Sequence, residues 1–167
     1  MDKTIFCTSA TNLEAFLGDY PNERSHMGAD IPVFVYRLFQ YSLKEELISR
    51  YGKETAIDLF RAGGRTAGVY FARHHLDLAL PLGQFTAMLQ QKLEEFKIGI
   101  LRIETFDENT GQIILTVSED ADCSGLPIMG EAVCNFDEGF ISGILSLYTN
   151  KNYVATEINC WALGDRI

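Results

Sequence analysis

Three of the four cysteines, Cys123, Cys134 and Cys160, lie in the last third of this 167-residue chain, with Glu157 and the only tryptophan, Trp161, among them. Thiolates and carboxylates are donors that zinc accepts, and four of them close a tetrahedral structural site. Cys134, Glu157 and Cys160 make three candidate ligands, and Cys123 is the candidate for a fourth. Spacing alone fits ordinary core thiols as well, since unpaired cysteine is among the most buried residue types. Residues three apart on a regular strand face opposite sides, so Glu157 and Cys160 converge only where a bulge or turn intervenes. No C-x-x-C pair occurs, and the cysteines are read as reduced thiols of a cytoplasmic protein. Cys7 stands alone and is expected to be a buried structural thiol.

Other chemistry is sparsely provided for, and no catalytic residue is assigned. The histidines are His26, His74 and His75. The last two fall at a helix end, where they complement the dipole or face solvent, and nothing places either beside Cys134 to make it a nucleophile. The run AGGRTAG at 62–68 lacks the G-x-G-x-x-G order and follows no strand, so packing rather than dinucleotide binding is its reading. A net charge of −9 argues against nucleic-acid binding by this segment, which would need clustered Lys and Arg. The start, MDKTIFCTSATN, lacks the pattern of a signal peptide. No stretch approaches the roughly 20 apolar residues of a membrane span.

The elements that must position these groups are legible from periodicity. Apolar content of 47% and charged content of 22% suit one domain with its own core, taken as residues 31–167 behind an N-terminal arm, 1–30, that holds a short helix near 13–17. A helix is predicted over 30–51, with Asp30 as cap, Pro32 in the first turn, and Val35, Phe39, Leu43, Leu47 and Tyr51 every four residues before Gly52. A second is predicted over 53–74, with Ala56, Leu59, Phe60, Ala67 and Phe71 on its apolar side. Gly64 and Gly68 sit one turn apart in it, and since each costs about 1 kcal/mol against alanine, close approach of another backbone is expected. A third helix, 81–97, carries Phe85, Met88, Leu89, Leu93 and Phe96.

The period then changes to that of strands at 99–106 and 112–118, joined by the turn-like DENTG into a hairpin. A fourth helix is predicted over 131–149, with Phe136, Phe140, Ile144 and Leu147 inward and Gly139 and Gly143 four apart. A strand follows at 153–162 and a turn at 163–165, which reads as a chain truncated or only partly ordered at its C-terminus. The pattern is α+β: an N-terminal helical layer packed on a small antiparallel sheet with one inserted helix. A ligand pocket between the layers would be lined by Phe85, Met88, Leu115, Phe136 and Phe140.

From Cys123 onward the chain resembles the 4-vinyl reductase domain family of predicted hydrocarbon-binding proteins. The residues that carry the likeness are CSGLP at 123–127, G-x-x-V-C-x-F-x-x-G-F-x-x-G from Gly130 to Gly143, and E-x-x-C-x-x-x-G-D from Glu157 to Asp165. YRLFQYSLKEEL and AGGRTAG also fit, extending the likeness over about residues 31–167. The resemblance implies zinc. In sensor modules of bacterial regulators of aromatic catabolism, this domain holds it by a cysteine, a glutamate and two further cysteines. The first three correspond to Cys134, Glu157 and Cys160; the last falls immediately after Ile167, which leaves the fourth place to Cys123, water or a continuing chain. The resemblance also implies a fold shared with haem-based gas sensors and vesicle-tethering subunits. The Y-x-S-x-R motif of the gas sensors is missing, so haem is not expected.

The leading expectation is a domain that binds or senses an apolar or aromatic small molecule, with structural zinc, in a cytoplasmic, homodimeric regulator of transcription. The G-x-x-x-G faces support the dimer. The family name carries an alternative, an accessory factor or reductase in tetrapyrrole biosynthesis of the bacteriochlorophyll type. The tethering relatives carry a second, an interaction scaffold without a small ligand.

Overall fold

Helical spacing dominates the first half of the chain, and the helices form where it predicts them. The computed structural model describes residues 13–19, 22, 24–107 and 109–165, so Cys7 and Ile167 lie outside the described residues. Met1–Tyr36 and Arg37–Ile167 are separate compact units. The first contains α1 (Leu13–Leu17), none of whose residues is buried. The helices that follow are α2 (Val33–Tyr51), which lies beyond its first turn in the second unit, α3 (Lys53–His75) and α4 (Leu82–Glu95). The hairpin is β1 (Ile100–Asp107) and β2 (Gln112–Ser118), antiparallel from Ile100 opposite Ser118 to Asp107 opposite Gln112, with an irregularity between Ile103 and Thr105. Helix α5 (Asn135–Thr149) follows, and a short 3₁₀ turn, Trp161–Leu163, closes the described chain. The architecture is mixed α and β, with a two-stranded sheet.

The core joins α3, α4, α5 and the hairpin through Phe71, Phe85, Leu89, Leu93, Leu101 and Ile144. Its closest seam is α3 against α5. A methyl group added at Gly64 or Gly68 would run into the carbonyls of Phe136 and Phe140, and one at Gly139 or Gly143 into those of Arg61 and Arg65. The four glycines therefore face one another within the chain, as the cost of helical glycine implies. They offer no surface to a second copy, which removes the support that the G-x-x-x-G faces lent to a dimer.

Three expectations need correction. The apolar row of α2 faces outward: Val35, Phe39, Leu43 and Tyr51 are exposed, and the helix buries Gln40 instead. Helix α5 starts at Asn135 rather than 131, because Cys134 keeps a non-helical backbone and its carbonyl accepts the first helical bond, from Glu138 N–H at 3.1 Å.

Residues 153–162, expected as a strand, join no sheet. The segment from Tyr153 runs extended and antiparallel along α5. The N–H groups of Tyr153, Ala155 and Glu157 donate to Ser146 Oγ (2.9 Å), Ser142 Oγ (2.8 Å) and Glu138 Oε1 (2.9 Å). Four helical residues rise about 6 Å and two extended residues about 6.6 Å, so every second amide meets every fourth helical side chain. The period-2 pattern is real, with alternate side chains half-buried and exposed, but its partner is a row of helix side chains rather than a strand.

Candidate metal centre

This lashing delivers the ligands. Running antiparallel to α5, the segment brings Glu157 and Cys160 to the helix start, where Cys134 occupies the N-cap position. Glu157 Oε2 accepts the Cys134 N–H at 3.2 Å, and the Cys134 and Cys160 sulfurs lie 3.9 Å apart. Beyond the extended run the chain turns into the 3₁₀ segment, with Cys160 N–H donating to Asp165 Oδ2 at 3.1 Å. That turn resolves the facing problem of residues three apart. Cys123 arrives from the loop after β2. Its amide and that of Asp122 donate to Asp120 Oδ1 at 3.0 and 2.6 Å. One donor atom from each of Cys123, Cys134, Glu157 and Cys160 lies within 4.8 Å of all the others; the three thiols are buried and the carboxylate half-buried. All three thiols are free.

The donor set fits zinc. Zn–S bonds of about 2.3 Å in a tetrahedron set neighbouring sulfurs about 3.8 Å apart, close to the 3.9 Å between Cys134 and Cys160. Protons here respond to crowding of anions. The Cys134 thiol is raised strongly, by its hydrogen bond with Cys123 and by burial. Burial, with Glu157 adding, pushes the Cys160 thiol up to about 11, and the bond to Cys134 lowers the Cys123 thiol. A divalent cation at this place reverses that logic by favouring the thiolates. Asp120 and Asp137 crowd Cys134 from the other side. Burial and the Asp122 charge push the Asp120 carboxyl up to about 6, and Asp137 is raised well above the ordinary range for the same reasons.

The inner face of α2 holds the loops that bear two of the ligands. Arg37 donates from Nε to Ala121 O (2.6 Å) and from Nη2 to Ser124 O (2.9 Å) and Asp120 O (3.3 Å). Gln40 Nε2 reaches Asp122 Oδ2 at 2.8 Å, and Tyr41 OH reaches Asp122 O at 3.0 Å. Lys44 Nζ binds Val133 O (3.1 Å) and Asn135 Oδ1 (2.8 Å), on either side of Cys134. Burial lowers the Lys44 ammonium from its ordinary value. These four residues were not predicted as part of any site, yet their spacing, i, i+3, i+4, i+7, marks one helical face. A polar row at that spacing was the available signal.

A cavity of about 510 Å³ is bordered by β2, by residues 153–161, by Ile141 and Leu145 of α5, and by all four ligand residues. Of the side chains expected to line a pocket, Leu115 borders it; Phe85, Met88, Phe136 and Phe140 do not. Phe85 is buried and stacked on Tyr148, with centroids 3.7 Å apart. Met88 sulfur accepts the Asp77 N–H at 3.2 Å. Phe140 meets Phe71 edge-on at 5.3 Å, and Phe136 stacks against Phe140 at 6.4 Å. His74 stacks on Tyr70, and His75 packs against Phe71 and Phe96. Among the described residues no histidine joins a metal-competent group.

Comparison with known proteins bears on this C-terminal part. Residues 113–167 match the family model of the 4-vinyl reductase domain, which agrees with the resemblance carried by their motifs. The chain is also similar to two proteins of Methanocaldococcus jannaschii. It is 37% identical to the uncharacterized protein MJ1642 over 73 residues, 44% of this chain and 43% of that one. It is 26% identical to the uncharacterized protein MJ0150 over 154 residues, 92% of this chain and 82% of that one. The chain thus spans less than half the length of the first relative. A 4-vinyl reductase domain is consistent with small-molecule binding or sensing. Among the described residues no helix is long and apolar enough to cross a membrane.

Proposed function

We propose that residues 37–167 form a zinc-stabilised domain that binds an apolar or aromatic small molecule, in a dimeric regulatory protein of the reducing cytoplasm. The observation that carries this reading is the convergence of Cys123, Cys134, Glu157 and Cys160 on the border of a cavity of about 510 Å³. That volume lies within the range of small-molecule sites. Zinc at these four residues would tie the loop after β2, the start of α5 and the C-terminal segment together, and so hold the cavity's border in place. Its contribution to folding is of order 10 kcal/mol. The thiols stay available as ligands in a reducing compartment. Regulation of transcription is the role that the likeness to aromatic-sensing modules favours, with nucleic acid bound elsewhere than on this acidic segment.

Protein purified without added metal is expected to contain about one zinc per chain and to bind N-phenyl-1-naphthylamine, a neutral aromatic fluorophore, in the cavity. Leu115→Trp, which fills the cavity, should abolish probe binding and leave zinc content unchanged. Binding that survives this substitution overturns the cavity assignment, and protein without zinc overturns the metal assignment.

One observation favours a second reading, the interaction scaffold. Both long borders of the cavity are extended backbone, and among the described residues β2 has β1 as its one ladder partner. Such an edge accepts an added strand. An extended peptide that displaces the fluorophore would favour this reading. Turnover of a vinyl tetrapyrrole with a reductant would favour the reductase instead.

A further inference from the structure

Helix α2 is inverted relative to an ordinary surface helix, which buries its apolar stripe and exposes its charges. Its inner face is polar and tied by seven hydrogen bonds to residues 120–124 and 133–135. Its outer face carries Leu38, Phe39 and Leu43, which are 57%, 69% and 43% exposed. Beside them on the same face lie Glu46 and Arg50, paired at 3.0 Å. Lone surface apolar residues need no explanation, but a row of three on one rigid helix face marks a contact surface.

The charge pattern indicates the occupant. The chain carries a net charge of −9, so most encounters between two copies are opposed by like charge. Helix α2 departs from this, with three basic and two acidic side chains, and the acid and base on its outer face neutralise each other. Two copies therefore meet here with least repulsion. An isologous contact across a two-fold axis, the commonest assembly of soluble proteins, would bury each apolar row against its symmetry mate. The helix is 19 residues long, about 28 Å at 1.5 Å per residue. Such a crossing, with Ser42, Glu46 and Arg50 at its rim, reaches about 1,000 Å², the lower bound for a specific interface.

We propose that the outer face of α2, centred on Leu38, Phe39 and Leu43, is the surface on which a second copy of this chain docks. This deepens the dimer of the proposed function by naming its interface, and it does not depend on the small ligand.

Sedimentation equilibrium of the zinc-loaded chain at submillimolar concentration tests it. The expected result is a species of twice 18.7 kDa. Leu38→Glu and Phe39→Glu should each weaken association by at least about tenfold, the loss typical of a central interface side chain. Zinc per chain and the far-ultraviolet circular dichroism should stay unchanged. Ile158→Glu, also at an exposed apolar position, should leave association as it was. A wild-type monomer overturns the dimer as well as its interface. A dimer indifferent to both α2 substitutions overturns the interface alone. Should the α2 variants lose zinc, Phe39→Ser serves as the milder substitution, and a dimer that it does not weaken overturns the assignment.

Discussion

At the scale of single residues, the centre contains two kinds of proton-bearing group with opposite consequences for stability. The thiols must lose their protons to hold zinc. Cys134→Ser and Cys160→Ser are expected to lower both zinc content and melting temperature, measured by elemental analysis and thermal denaturation. If both variants keep wild-type stability, the thiols only fill the core. Asp120 has the reverse character. Its folded-state value of about 6 stands above the ordinary 3.8, so folding takes up a proton there. Its contribution favours the folded state fully below about 3.8 and is lost as pH rises towards 6. In metal-free protein, Asp120→Asn should therefore gain stability relative to wild type as pH is raised across that window, measured by urea unfolding. The asparagine oxygen can still accept the amides of Asp122 and Cys123. A difference that is flat with pH would show that this carboxyl is not held protonated.

At the scale of elements, helix α3 presents adjacent glycines in opposite situations. A methyl at Gly64 meets the Phe136 carbonyl, whereas one at Gly63 meets nothing within 4 Å. Gly64→Ala should cost about 3 kcal/mol, in the range for overpacking a close contact. Gly63→Ala should gain up to about 1 kcal/mol from helix propensity. Equal effects by chemical denaturation would contradict the close approach of α3 and α5. The existence of the helices and the hairpin was legible, because each repeats apolar residues at its own period. The side that a helix turns inward was less so. In α2 the apolar row and the polar row share the helical period, and periodicity locates both without saying which one the fold buries. The misassigned strand at 153–162 has a similar cause. Alternation reports an extended chain with one side covered, whether by strands or by a row of Ser and Glu side chains.

At the scale of the whole second unit, Cys134, Glu157 and Cys160 could be recognised from local motifs, whereas Cys123 became a ligand only once the loop after β2 was placed beside them. The α2 clasp was missed because it acts across more than 80 residues of sequence. The expected pocket residues stood out as large aromatic side chains at helical spacing, and those are the ones the core consumed. The cavity is bordered instead by a strand edge, an extended segment and acidic loop residues, none of which forms an apolar stripe. Zinc, ligand and second copy are thus assigned to three different surfaces of one unit, and α2 touches two of them. Its inner side holds the metal-bearing loops, and its outer side is available for association.

The helix and the extended segment that lies on it are ruled in unequal divisions, about 6 Å against about 6.6 Å, and such scales coincide only over a short length. After three coincidences, at Ser146, Ser142 and Glu138, the accumulated drift exceeds about 1 Å. The next division on the helix is Cys134. There the backbone amide of the segment no longer finds its mark, and a longer reach, the Glu157 carboxylate, bridges to the Cys134 amide instead. Like a vernier, the pairing marks one place along the helix where the two scales fall out of step, and at that place sulfur and carboxylate are left free to face each other.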